Sequence, residues 1–296
     1  MGSDAHAYVF DYDRYVTDVI PVAKRLLLMG ELAPRWARMV RQVLDAYELE
    51  GYTEGTIASL TDGSGLDLDR YCTYLDTDLG LRDSRPDCYR AAKQQGQTYN
   101  WEERACRSMD CPMRHICRFH LDTDARKGSV EDFNVALVDA VGMSCLGEHQ
   151  FVGRSRTAFR YQEFLDRAGV AEDDTVHDLL ERLGRRGFVV GYLFSDGDGM
   201  HGWLTPAETQ ALLSRLDALA LPRYEPTVAA MTAQYGQFGK RQAREGLSGA
   251  QLDAAWEALS LSFVRTVAAI AAGKEQGLLW GNDMPSLRAP RDDRSS

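Results

Sequence analysis

The chain has 296 residues, 44% of them hydrophobic and 26% charged, a balance typical of soluble globular domains that bury a core without disulfides. Its 34 basic and 44 acidic side chains leave a net charge of -10, which disfavours a general electrostatic grip on nucleic acid or an anionic membrane. We find no secretion signal and no uninterrupted apolar run of membrane-spanning length, so we expect a cytoplasmic protein with reduced thiols.

The first half of the chain is predicted to be helical. Apolar side chains recur every three to four residues over 14–29 and again over 34–48, as in helices with one buried face. A glycine-rich loop is expected over 51–65. Shorter helical pieces then follow at 67–79, 86–94 and 101–109, and a further helix begins near Ser129.

The second half of the chain is predicted to combine helices with one strand. Thr205 and Glu208 have the spacing of a capping box, with a proline at the first helical position, and therefore mark the start of a helix. Other helices are expected at 157–168, 175–185 and 248–272, and a β-branched apolar run predicts a strand at 188–194. The predicted fold class is mainly α, a multi-helix globular fold with at most a small β element.

The domain organisation is predicted from the change in pattern near residue 150. A helical region over 1–150 would carry the cysteine-bearing loop at 88–120, and a second helical region over 151–284 would contain the strand and a long C-terminal helix. The polar segment 285–296 is expected to be disordered. One single domain is also compatible with this pattern.

The most informative feature is a cluster of cysteines. Cys106, Cys111 and Cys117 fall within twelve residues, and Cys88 precedes them. Several thiolates on one irregular loop can converge on a single soft metal, and Pro112 keeps the loop from closing into a helix. This spacing predicts an iron-sulfur (4Fe-4S) cluster bound by these four cysteines. The fourth ligand is best assigned to Cys88; Cys72 and Cys145 are the alternatives.

Zinc is the alternative metal. Cys106, Cys111 and Cys117 could form a tetrahedral site that is completed by His115, His120 or Cys88. The segment resembles three-cysteine, one-histidine zinc fingers of the RNA-binding kind, although it has two residues rather than three before the histidine and no tandem partner. The lack of a Cys-x2-Cys pair favours the cluster over zinc.

A second resemblance favours iron. The residues from Cys111 to Phe119 are similar to the C-terminal cysteine tail of RecB-like iron-sulfur nucleases. The similarity covers about fifteen residues, the preceding spacing differs, and the acidic and lysine residues of the nuclease site are missing. We therefore take from this resemblance the expectation of a metal and do not transfer the nuclease activity.

Arginines surround the cysteines. Arg107, Arg114 and Arg118 could stabilise thiolates or bind an anionic cofactor or ligand, although solvated loop arginines are the simpler interpretation. Metal-free thiol redox chemistry and plain structural cysteines also remain open. Outside this segment, His149 and His177 are predicted to be isolated histidines without a catalytic role.

Two functions follow from these alternatives. The leading hypothesis is an enzyme or enzyme component that uses the cluster in redox or Lewis-acid chemistry on a small molecule. The competing hypothesis is a zinc-stabilised binding or regulatory protein, without catalysis, whose partner is a protein or RNA. The acidic net charge disfavours nucleic acid as the partner but leaves a protein partner open.

Overall fold

The computed structural model describes residues 4–19, 31–46, 144–153, 161–185, 199–221 and 250–282, together with positions 21, 22, 25, 29, 48, 140, 233, 237 and 246. The helices and strands in these residues are β1 (Ala5–Phe10), α1 (Tyr12–Arg14), a π-helical turn (Tyr15–Val19), α2 (Pro34–Ala46), β2 (Leu146–Gly153), α3 (Gln162–Arg167), α4 (Thr175–Arg185), β3 (Gly199–Leu204), α5 (Pro206–Asp217), α6 (Ala250–Gly273) and β4 (Gly277–Asn282).

The chain divides into two compact units. The first contains Met1–Asp13, Leu146–Arg186 and Phe194–Met284, and the second contains Arg14–Cys145, Gly187–Leu193 and Pro285–Ser296. The first unit is therefore assembled from stretches that are far apart in the sequence. In the second unit, the described helix α2 buries one apolar face, made by Trp36, Met39, Val40, Val43 and Leu44.

A four-stranded antiparallel sheet is the centre of the first unit. Its strand order is β2-β1-β4-β3, and each neighbouring pair runs antiparallel. The predicted mainly α fold class is therefore wrong, because the described residues form a mixed α/β fold. Helical periodicity was recognised correctly in several segments, but four short strands were not.

The core of the first unit lies between the sheet and its helices. Side chains alternate between the two faces of a strand, so Ala5, Ala7 and Val9 of β1 share the face that packs on the helices. Leu204, Leu278 and Trp280 of the other strands belong to the same buried cluster. The helices complete this cluster with side chains that include Leu165, Leu180, Leu183, Leu212, Leu216, Phe263, Val264 and Val267.

Helix α6 is the central helix of this core. It contacts β1, β2, β4 and α5. Its segment Ala254–Gly273 is long and apolar enough to cross a membrane, with a mean hydropathy of 1.3, but more than half of that stretch is buried inside the fold. Its composition is thus explained by its position against the sheet. The predicted helix over 248–272 is confirmed, with observed bounds Ala250–Gly273.

The predicted start of α5 is also confirmed. The Thr205 side chain accepts a hydrogen bond from the Glu208 backbone N–H at 3.2 Å, and the Glu208 carboxylate accepts one from the Thr205 N–H at 2.9 Å. These reciprocal bonds satisfy two N–H groups that have no partner inside the helix. The predicted helix over 175–185 matches α4. The predicted helix over 157–168 is confirmed for Gln162–Arg167, and positions 157–160 lie outside the described residues.

Asp174 caps the start of α4 and joins it to α5. Its carboxylate accepts a hydrogen bond from the Val176 N–H at 2.9 Å and another from Arg215 Nε at 2.9 Å. The Arg215 hydrogen bond is the largest cause of a lowered pKa at Asp174, and the Val176 bond adds to it. A lowered folded-state pKa contributes stability above the unfolded value of 3.8, and that stability is lost as the pH falls through the folded value.

We expect Asp174→Asn to flatten this acid dependence. Asparagine keeps an oxygen that can accept from Val176 but loses the charge that pairs with Arg215. Asp174→Ala should lose the cap as well, at a cost of about 0.5–2 kcal/mol at neutral pH. Urea unfolding of the wild type and both variants at neutral pH and at a pH clearly below 3.8 would measure these effects. An Asn variant with the acid dependence of the wild type would contradict the role of the ion pair.

The C-terminus of α6 carries a strained residue. The Gln276 N–H donates to the Ala271 carbonyl at 2.9 Å and the Glu275 N–H donates to the Ala272 carbonyl at 3.1 Å, the pattern of a Schellman cap. Glu275 has a φ of 55°, in the left-handed region where a Cβ is unfavourable. The sequence thus places a glutamate where this cap favours glycine.

Glu275→Gly is therefore expected to stabilise the protein by about 1 kcal/mol. The matched control is Glu275→Ala, which removes the charge but keeps the Cβ and should leave most of the strain in place. Thermal unfolding of the two variants side by side would check this. A glycine variant no more stable than the alanine variant would show that the strain at this position is negligible.

Candidate functional site

The residues of the predicted metal site lie outside the described residues. These are the proposed ligands Cys88, Cys106, Cys111 and Cys117, the alternative ligands Cys72, His115 and His120, and the arginines Arg107, Arg114 and Arg118. The predicted strand at 188–194 also lies there. The cluster and its cofactor-binding arginines therefore stay predictions.

Cys145 is the alternative ligand that the structure describes. It is buried, and its Sγ lies 3.4 Å from the Ser144 Oγ. In the part of the chain that the structure describes, no group of three or more His, Cys, Asp or Glu side chains is placed to hold a metal ion.

Two histidines and a tyrosine lie close together on strands β1 and β2. The β1–β2 pairing sets Tyr8 opposite His149 and His6 opposite Phe151. His6 and Tyr8 alternate with the core residues of β1 and therefore lie on the face of the sheet that does not carry the helix-packing core. The antiparallel pairing thus brings two histidines and two other aromatic rings together. We call His6, Tyr8, His149 and Phe151 the histidine cluster.

The rings of the histidine cluster are in contact. The ring centres of His6 and His149 are 5.4 Å apart, with an angle of 48° between the planes. Tyr8 stacks on His149 with a centre separation of 4.8 Å and an angle of 23°, and Phe151 meets His6 edge to face at 5.8 Å. Such contacts fix the orientation of each imidazole ring.

The electrostatics of the cluster favour a neutral His149. Partial burial lowers the pKa of His149 below its ordinary value of 6.5, because desolvation disfavours the imidazolium. His149 nevertheless stays exposed to solvent, whereas Tyr8 is buried. A neutral imidazole that reaches solvent has a ring nitrogen able to accept a proton, a hydrogen bond or a metal ion.

The other end of the same sheet face is apolar. Phe10 and Trp203 are fully buried, with ring centres 5.9 Å apart, and Tyr12 lies 5.7 Å from Trp203. Trp203 belongs to strand β3, which also carries the buried His201. The aromatic rings at this end contribute packing.

The histidine cluster was not predicted from the sequence. His149 was predicted to be isolated, because its neighbours in the sequence offer no partner, and the N-terminal segment was given no element. The sequence does contain one signal for the cluster. In His6-Ala-Tyr8 and in His149-Gln-Phe151, two ring-bearing residues are separated by one other residue, which places both rings on one face of a strand. The pairing of these two segments could not be read from a single sequence.

Comparison of the chain with protein-family models, with curated proteins and with solved structures finds no match.

Proposed function

We propose that this protein binds a 4Fe-4S cluster through Cys106, Cys111, Cys117 and Cys88. We further propose that it acts as an enzyme, or as a component of one, in redox or Lewis-acid chemistry on a small molecule. The observation that carries this proposal is the density of thiols: three of the six cysteines occupy twelve residues of an arginine-rich segment.

The donor set suits an iron-sulfur cluster. Thiolates are the usual cluster ligands, and they are supplied by short, irregular loops that often contain a proline beside a ligand, as at Cys111-Pro112. When held by all four cysteines, such a cluster supplies electron transfer. Lewis-acid chemistry would require that only Cys106, Cys111 and Cys117 hold the cluster, because the fourth iron then keeps an open position.

The arginines have a separate role in this proposal. Arg107, Arg114 and Arg118 each lie within four residues of a proposed ligand. A guanidinium is always charged and favours a nearby thiolate over a thiol. It also binds carboxylates and phosphates through paired hydrogen bonds. We therefore propose that these residues stabilise the ligand thiolates and orient an anionic small molecule.

Zinc supports a different function. Cys117-Arg-Phe-His120 places an imidazole close to the third thiolate, and three thiolates with one imidazole form a closed tetrahedral site. A closed site stabilises a fold and leaves no position for a substrate. With zinc, the arginine-rich segment would be a preformed surface for a protein or RNA partner, of which the acidic net charge favours a protein.

Metal and sulfide analysis of the full chain, purified without oxygen, tests the proposal. We expect a brown protein that contains iron and acid-labile sulfide in equal amounts. A colourless protein with about one zinc per chain would overturn the cluster and favour the binding protein. A protein without iron, sulfide or zinc would overturn both functions.

A further inference from the structure

Two histidines on neighbouring strands form a second candidate site, which is independent of the cysteines. His6 lies on β1 and His149 lies on β2, which is an edge strand of the described sheet. The backbone pairing of the strands fixes the distance between the two residues, and the contacts with Tyr8 and Phe151 orient the rings. The two imidazoles are therefore held in place before any ligand arrives.

The separation of the rings fits two ligands of one metal ion. An imidazole nitrogen binds Zn²⁺ at about 2.0–2.1 Å, which puts the centre of the ring about 3.2 Å from the ion. Two rings bound at a tetrahedral angle therefore have centres about 5.2 Å apart. A right angle at the ion would bring the centres to about 4.5 Å by the same construction. The observed 5.4 Å is close to the tetrahedral value.

The type of ligand selects the class of metal. Imidazole nitrogens favour Zn²⁺, Ni²⁺ and Cu²⁺ over Mg²⁺ and Ca²⁺, which prefer oxygen ligands. Among the described residues, no third His, Cys, Asp or Glu joins the pair. An ion held by two imidazoles keeps its other positions for water or for a small anionic ligand. His149 is exposed, so an ion can reach the pair from solvent.

We propose that His6 and His149 form a two-histidine site for Zn²⁺, because the separation of their rings is closer to that of a tetrahedral angle than to the right angles that Ni²⁺ and Cu²⁺ prefer. Tyr8 and Phe151 act as positioning residues that hold the two rings at the ligating distance.

Titration of the full-length protein with Co²⁺ alone tests this site, because Co²⁺ accepts the same tetrahedral geometry as Zn²⁺. We expect His149→Gln and His6→Gln each to weaken the Co²⁺ affinity of this site by about 10- to 100-fold, since loss of an outer-shell partner alone weakens metal binding by that factor. The cysteines are the same in every variant, so the difference between variants isolates the histidines. The matched control is His177→Gln, which replaces a histidine of α4 that contacts the Ala171 carbonyl at 3.1 Å and should leave the affinity unchanged.

A second measurement keeps the proposal testable if His6→Gln fails to fold. Co²⁺ is paramagnetic, so at saturation it should broaden the ring-proton NMR signals of both His6 and His149 in the wild-type protein. Unchanged Co²⁺ affinity in a folded His149→Gln variant would overturn the site. Signals of His6 and His149 that stay sharp at saturating Co²⁺ would also overturn it.

Discussion

Cys111→Ser is expected to remove nearly all iron and sulfide from the protein purified without oxygen. Cys111 is the central thiol of the segment, and a serine hydroxyl is a hard and weakly acidic donor that binds cluster iron much less well than a thiolate. The measurement is iron and acid-labile sulfide per chain. We expect the variant to contain far less iron and sulfide per chain than the wild-type protein, even where the wild-type protein is only partly loaded with cluster.

Cys145→Ala is the matched control for this substitution. Cys145 is buried beside Ser144, and the proposal assigns the fourth ligand to Cys88 rather than to this residue. The alanine variant should therefore keep its iron, whereas Cys88→Ser should lose it. Full iron and sulfide in Cys111→Ser would contradict the proposed ligand set, and loss of iron in Cys145→Ala would reassign the fourth ligand.

Gly277→Ala is expected to destabilise the first unit by about 3 kcal/mol or more, the upper range for overpacked positions. Gly277 begins β4 opposite Phe10 of β1. A Cβ at this position would overlap the backbone carbonyl oxygen of Leu204 and would lie 3.2 Å from the Phe10 ring. Neither neighbour can move easily, because the carbonyl belongs to strand β3 and Phe10 is fully buried.

Gly147→Ala provides a control in the same sheet. A Cβ at Gly147 would lie 3.5 Å from the Val9 Cβ, which is an ordinary contact, and the position is exposed. We expect its unfolding midpoint to stay close to that of the wild type, whereas Gly277→Ala should unfold at a clearly lower denaturant concentration. Equal midpoints for the two variants would show that β3 and β4 can separate without a large loss of stability.

The helices were predictable because their signals are local. The capping box at Thr205 and the apolar stripe of α6 lie within one stretch of chain and do not depend on distant partners. The strands were missed for a physical reason. Strand β4 is buried along its whole length, so its residues do not alternate between polar and apolar, and its two glycines are typical of loops in a single sequence.

The two candidate sites differ in how far apart their residues are in the sequence. The cysteine segment was recognisable because its candidate ligands are close together in the sequence. The histidine cluster was not, because His6 and His149 are far apart in the chain and meet only through the β1–β2 pairing. Recognising the histidine cluster requires the register of the β1–β2 pairing, which cannot be read from one sequence.

X-ray absorption at the iron edge, measured on the anaerobically purified full-length protein, tests the central claim most directly. If Cys88, Cys106, Cys111 and Cys117 hold a 4Fe-4S cluster, the first shell of iron consists of sulfur alone and the spectrum shows scattering from iron to iron. A first shell of nitrogen or oxygen without iron-to-iron scattering would contradict the account.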